Sequence, residues 1–129
     1  MNTQKQTEGL KKILVVEDNP ELMRIMGLQL QHLGYETVLA ANGTQATDMA
    51  AKHVPDLITM DISLPDMDGL EAARRIRENP TTRAIPILAV TARSLPEDKQ
   101  RCIQGGCNDY ISKPFTSTSL LSHIEKLLA

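Results

Sequence analysis

Large aromatic side chains are scarce in this sequence of 129 residues, which has no Trp, one Phe and two Tyr. Hydrophobic residues still make up 41% of the chain, so the core must be filled by aliphatic side chains, methionine and alanine. The scarcity argues against a flavin-binding module, because few rings are available to stack on an isoalloxazine and no clear phosphate-binding loop is present. The length fits a single domain with one core.

A strong excess of charge and a long apolar run are also missing. The formal net charge of −2 gives no electrostatic basis for binding nucleic acid or an anionic membrane surface, so neither is expected as a partner. No apolar run is long enough to cross a bilayer, and residues 1–9 are polar without the apolar core of a signal peptide. We therefore expect a cytoplasmic protein.

Cysteine is rare as well. Cys102 and Cys107 are the two cysteines, and they fit neither a disulfide framework nor a zinc-binding pattern. We expect small, largely buried thiols.

What the chain does have is a regular alternation of strand and helix patterns. The strands are predicted at 12–16, 36–40, 57–61, 86–90 and 109–112, and a helical pattern follows each of them. Such alternation predicts a parallel sheet covered by helices on both faces. Five units are too few for an eightfold barrel, so the expected fold is an open, doubly wound α/β sheet of five strands with five helices.

Polar residues of particular kinds follow four of these strands. Glu17 and Asp18 follow the first, Asp61 ends the third, Thr91 follows the fourth, and Lys113 follows the fifth. The carboxyl ends of parallel strands lie at one edge of the sheet, so these groups should meet there. Three clustered carboxylates need a cation, which favours Mg²⁺, and an Asp carboxylate can accept a phosphoryl group. Asp61 is the candidate acceptor.

Four segments, 12–18, 61–69, 91–92 and 110–114, resemble the receiver domain of two-component response regulators. The match runs from about residue 11 to the C-terminus. The resemblance implies a flavodoxin-like fold with strand order 2-1-3-4-5. It also implies a receiver domain over residues 11–129, preceded by a polar tail over 1–10.

By this resemblance Asp61 is the phosphorylation site. Asp18 and Asp61 would bind Mg²⁺ together with the main-chain carbonyl of Ser63, and Glu17 would hold the metal mostly through water.

The resemblance also assigns roles at the ends of the last two strands. Thr91 and Lys113 match the hydroxyl and the lysine that contact the phosphoryl group, and Lys113 precedes an expected cis peptide to Pro114. Tyr110 matches an aromatic whose rotamer reports the signalling state. Ser63 and Arg93 lie where family members differ and where the dephosphorylation rate is tuned.

The implied function is a phosphorelay switch. A histidine kinase or histidine phosphotransfer protein would donate the phosphoryl group, and the receiver would catalyse only its own phosphorylation and dephosphorylation, so it is not expected to be an enzyme otherwise. Phosphorylation would alter binding of a downstream protein through the face formed by helix 4, strand 5 and helix 5. We expect a stand-alone regulator or a receiver taken from a larger regulator or hybrid kinase, and Met1 favours the former.

Two alternatives from other classes remain open at this stage. The segment 66–69, Asp-Met-Asp-Gly, resembles the start of the motif of haloacid-dehalogenase-type phosphatases, but Leu64 and Pro65 separate it from the strand, whereas those aspartates follow a strand directly. The other alternative is a receiver-like module that binds proteins without being phosphorylated, which the complete acidic set disfavours.

Overall fold

The computed structural model describes residues 10–92 and 95–129. Most of the predicted N-terminal tail, residues 1–9, lies outside the described residues, and so does Arg93.

The described chain forms a five-stranded sheet with five helices. The strands are β1 (Lys12–Val16), β2 (Glu36–Ala40), β3 (Leu57–Asp61), β4 (Ile87–Thr91) and β5 (Asp109–Ser112). The helices are α1 (Pro20–His32), α2 (Gly43–His53), α3 (Gly69–Glu78), α4 (Pro96–Gln104) and α5 (Ser117–Leu128). All pairings are parallel and the strand order is β2-β1-β3-β4-β5, which confirms the predicted fold.

The core has two halves, one on each face of the sheet. One half lies between the strands and helices α2, α3 and α4, and the other between the strands and helices α1 and α5. Strands β3 and β4 are buried at every residue, since helices cover both of their faces. The edge strand β2 is more polar because it is only partly covered.

Helix ends follow the local signals in most places. Asn19 caps α1 by accepting hydrogen bonds from the amides of Glu21 (3.0 Å) and Leu22 (3.2 Å), and Pro20 occupies the first helical position. At the start of α5, residue type predicts Ser117 or Thr118 as the cap, and this prediction is wrong.

Thr116 caps α5 instead, and its hydroxyl accepts from the amide of Ser119 at 3.0 Å. The segment 116–119 contains only Ser and Thr, so capping preference alone does not distinguish its members. Phe115, the residue before Thr116, packs against the half of the core that α5 covers.

The register of the sheet brings the carboxyl ends of its strands to one edge. Asp61 pairs with Val90, and Thr91 pairs with Ser112. The residues at or just after the ends of four strands therefore lie at this edge, as expected: Glu17, Asp61, Thr91 and Lys113. None of the described helices is long and apolar enough to cross a membrane.

Candidate functional site

Three carboxylates meet at this edge of the sheet. One carboxylate oxygen from each of Glu17, Asp18 and Asp61 lies within 4.8 Å of the others. Glu17 and Asp61 are buried, at 1% and 4% exposure, because their backbones continue buried strands, whereas Asp18 lies in the following turn and is exposed. The cluster is thus open to solvent on the Asp18 side.

Lys113 is the cation of this cluster. Its Nζ donates to Oε1 of Glu17 at 2.8 Å and to Oδ2 of Asp61 at 3.3 Å. The peptide bond between Lys113 and Pro114 is cis, as expected. The amide of Lys113 donates to the carbonyl of Thr91 at 2.8 Å, which ties this turn to the end of β4.

Burial and the contacts between opposite charges act in opposite directions on the pKa values of Glu17 and Lys113. Burial raises the pKa of Glu17, and the nearby Asp61 adds to this; hydrogen bonds from Lys113 and from the amide of Asn19 offset only part of it. Burial by itself would lower the pKa of Lys113, but the hydrogen bond to Glu17 and the charge of Asp61 outweigh it and raise this pKa. The lysine therefore stays charged and neutralises part of the acidic cluster.

The chain after Asp61 turns back on itself close to the cluster. Oδ1 of Asp61 accepts from the amide of Ser63 at 3.0 Å, and Ser63 forms an antiparallel bridge with Asp68. The amide of Gly69 donates to the carbonyl of Ile62 at 2.8 Å, and a Cβ on Gly69 would lie 2.3 Å from the carbonyl oxygen of Asp61. Only glycine fits this close approach, which brings the start of α3 against the end of β3.

Thr91 and Tyr110 lie on the strands next to the cluster. Thr91 ends β4 at 2% exposure. Tyr110 is half-buried on β5, packs against the α2, α3 and α4 half of the core, and accepts a hydrogen bond from the hydroxyl of Ser112 at 3.1 Å. Every residue predicted for the site, except Arg93, therefore lies at or next to one edge of the sheet.

This arrangement can be compared with known proteins. The family model described as the response regulator receiver domain matches residues 13–125. The chain belongs to this family. It is thus a receiver domain of two-component signalling, a class of phospho-accepting switches whose donors are histidine kinases or phosphotransfer proteins.

Curated relatives and solved structures agree with the family. The polar-differentiation response regulator DivK of Brucella anthropi is 41% identical over 118 residues, covering 92% of this chain and 96% of the relative. The receiver domain of a sensor histidine kinase from Pseudomonas aeruginosa, whose structure has a magnesium ion in the active-site cleft, is 39% identical with a TM-score of 0.86, covering 93% of this chain and 98% of that one. The chemotaxis protein CheY4 of Vibrio cholerae is 32% identical with a TM-score of 0.89, covering 93% and 100%.

Several contacts of this receiver were not evident from the sequence. The carboxylate of Asp66 accepts hydrogen bonds from the start of α2, Arg101 of α4 donates to Asp68 at 2.7 Å, and Nδ1 of His123 lies 2.9 Å from Oδ2 of Asp109. No sequence signal links these partners, because each pair joins different elements. The contact of Asp66 also removes the phosphatase alternative, since this carboxylate faces α2 and not the acidic cluster.

Proposed function

We propose that Asp61 is the residue that accepts the phosphoryl group, and that its phosphorylation switches the binding of a downstream protein. The observation that carries this proposal is the burial of Asp61 between two further carboxylates and a lysine at the open edge of the sheet. A buried carboxylate with a neutralising cation beside it is a suitable nucleophile, because phosphoryl transfer depends mainly on positioning and charge stabilisation.

The donor set fits Mg²⁺. All the groups offered are hard oxygens, and the site is open to water beside the exposed Asp18, as a cation that keeps several waters requires. Asp18 and Asp61 would hold Mg²⁺ with the main-chain carbonyl of Ser63, and Glu17, already paired with Lys113, would act through water. When bound, the cation neutralises charge on the phosphoryl oxygens.

The transfer itself exchanges one bond for another. A carboxylate oxygen of Asp61 attacks the phosphorus of a phosphohistidine, the O–P bond forms, and the P–N bond breaks with its electron pair passing to the imidazole of the donor. Lys113 donates to Asp61 through its Nζ, and Thr91 ends the strand next to that of Asp61, so an ammonium and a hydroxyl can donate to the phosphoryl oxygens. Hydrolysis of the acyl phosphate by water, which restores Asp61, is the second reaction that the receiver catalyses on itself.

The output face is proposed to consist of α4, β5 and α5. A cavity of about 490 Å³ lies between these elements, and Lys99, Tyr110 and His123 are among its lining residues. Tyr110 therefore lies both at this cavity and on β5, the strand that Lys113 follows. The receiver unit is proposed to span residues 11–129, and its cytoplasmic location stays a prediction.

The test is the intact mass of the protein after incubation with acetyl phosphate and Mg²⁺. We expect a gain of one phosphoryl group that needs Mg²⁺ and is removed by hydroxylamine, as an acyl phosphate is. Asp61→Asn should show no gain, whereas the matched variant Asp48→Asn, which changes an exposed carboxylate of α2, should still be phosphorylated. The donor is then replaced by a phosphorylated histidine phosphotransfer protein. If neither donor modifies the wild type, the chain is a binding module that does not depend on phosphorylation.

A further inference from the structure

The segment 62–68 joins β3 to α3 and carries Ser63, the proposed main-chain ligand of Mg²⁺. A main-chain carbonyl has no rotamer of its own, so its position depends on how the surrounding backbone is held. The side chain of Ser63 is exposed, and Ser63 contacts Asp61 through its amide and Asp68 through an antiparallel bridge. The amide of Ile62, at the start of the segment, donates to the carbonyl of Val90 at 3.3 Å. Beyond Ser63, the position of the segment depends on its attachment to other elements.

Asp66 provides such an attachment. One carboxylate oxygen accepts from the amide of Gly43 at 2.7 Å, and the other accepts from the amide and the hydroxyl of Thr44 at 2.9 and 2.8 Å. These are the first amides of α2, whose own cap, Asn42, accepts from the amide of Gln45. The three hydrogen bonds, led by the one from the Gly43 amide, lower the pKa of Asp66 to about 2.

Met67 of the same segment also packs against the start of α2. A Cβ on Gly43 would lie 2.3 Å from Cγ of Met67 and 2.7 Å from its sulfur, so the methionine side chain covers the glycine closely. Two consecutive residues of the segment, Asp66 and Met67, thus contact the start of α2. The segment is thus attached to α2 by a polar and an apolar contact.

We propose that Asp66 is a positioning residue for the magnesium site, because it holds the segment on α2 and so sets where the carbonyl of Ser63 lies. This inference rests on the proposed function, since it concerns the same metal site. Groups that orient metal ligands contribute strongly to metal affinity although they do not touch the metal. Asp66, three residues after the ligand, would do so by holding the segment on α2.

The test compares two ways of weakening the start of α2. Asp66→Ala removes the attachment to the loop, whereas Asn42→Ala removes the local cap of the same helix and leaves the loop contacts in place. Both variants should lower the melting temperature. Only Asp66→Ala should raise the Kd for Mg²⁺, by about tenfold, measured by titration calorimetry with the metal alone. A structural role without positioning would give the two variants the same Kd.

A third variant separates positioning from charge. Thr44→Val removes one of the three hydrogen bonds to Asp66 without changing any charge, and should raise the Kd for Mg²⁺ by a smaller factor in the same direction. The ratio of Kd values between Asp66→Ala and the wild type should persist in about 1 M potassium chloride, where charges beyond about 3 Å are screened. If the ratio falls to one at high salt, or if Thr44→Val binds like the wild type, Asp66 acts through its charge and the inference is wrong.

The two proposals fail in different ways. If the wild type binds no Mg²⁺, the proposed metal site itself is contradicted. If the wild type and Asp66→Ala bind Mg²⁺ equally well, only the positioning role is contradicted. Should Asp66→Ala not fold, Thr44→Val still decides the question.

Discussion

Thr59 and Thr82 are two buried threonines that differ in what their hydroxyl groups meet. Both are 1% exposed. The hydroxyl of Thr82 donates to the carbonyl of Ile76 at 2.7 Å, whereas Oγ1 of Thr59 has no hydrogen-bond partner within the part of the chain that the structure describes. A buried polar group without a partner costs free energy that a partnered one does not.

We therefore expect Thr59→Val to raise the free energy of unfolding by about 1 kcal/mol, since valine keeps the shape and suits a strand. Thr82→Val is the matched control and should lower it by about 1–3 kcal/mol, because the carbonyl of Ile76 loses its donor. Urea denaturation of both variants checks this. A loss of stability in Thr59→Val would mean that its hydroxyl is satisfied in solution.

Arg74 and Arg77 of α3 also differ in what their side chains contact. Arg74 is exposed and pairs with Glu71 and Glu78 on its own helix. Arg77 donates to the carbonyls of Gly106, Arg83 and Ile85 and to the side chain of Asn108, with distances of 2.6–3.0 Å. Burial lowers the pKa of Arg77, yet at neutral pH the guanidinium remains charged.

Replacing each arginine by methionine should separate the two kinds of contact. Arg77→Met should lower the free energy of unfolding by about 2–4 kcal/mol, because several backbone carbonyls lose a charged donor. Arg74→Met should change it little, since exposed ion pairs on a helix contribute weakly. Equal effects in urea denaturation would contradict this difference.

Among the elements, α4 is held most weakly. Its only buried residue is Cys102, and Leu95 and Ile103 at its two ends are 59% and 43% exposed. The ion pair of Arg101 with Asp68 joins this helix to the segment after β3. Asp68 also caps α3 by accepting from the amide of Leu70 at 2.8 Å, so one carboxylate contacts two helices. A helix with so little buried surface should open more easily than the rest of the fold.

Hydrogen exchange measures this opening. We expect the amides of 96–104 to exchange faster than those of the other helices, and Arg101→Gln to accelerate them by a further factor of about two to five, because an exposed ion pair contributes up to about 1 kcal/mol. The control is Lys99→Gln, which removes another cation of α4, one that lines the cavity beside Tyr110. This variant should leave the exchange rates unchanged. If both variants exchange alike, the pair with Asp68 does not hold α4.

At the scale of the whole molecule, several carboxylates make the fold sensitive to acid. The pKa of Asp66 is about 2 because of the amides and hydroxyl at the start of α2, and that of Glu71 is about 2 because of hydrogen bonds from Arg74 and Arg75. Burial would raise the pKa of Asp109, but the hydrogen bond to His123 outweighs it, and this pKa also lies below its ordinary value.

A folded-state pKa below the unfolded value means that the unfolded chain binds protons first as the pH falls. The stabilisation from these groups is complete above about pH 4.5, the ordinary pKa of glutamate, and is lost progressively as the pH falls towards about 2. The urea concentration at the unfolding midpoint should therefore decrease as the pH is lowered from about 4.5 to about 2. Asp66→Asn should show a shallower decrease than the wild type, and an unchanged slope would contradict the contribution of Asp66.

The sequence by itself determined most of the elements, the parallel α/β fold and which groups meet at the ends of the strands. Periodic apolar patterns and Pro, Gly and Asn signals act over a few residues, so the strands and most helix boundaries could be predicted. The ends of parallel strands share one edge, so the meeting of Glu17, Asp61 and Lys113 followed from topology alone. The resemblance to receiver domains added the strand order, which is confirmed, and the role expected of each residue, which stays a prediction.

Only the tertiary structure decided which side chains meet away from the shared strand ends. Asp66 reaches the start of α2, Arg77 reaches the turn at Gly106, and His123 reaches Asp109 across element boundaries. The cap of α5, Thr116, was likewise not specified by the local sequence, because its neighbours have the same capping ability. The physical reason is that such contacts depend on distances and side-chain directions between elements, which no local pattern of residues specifies.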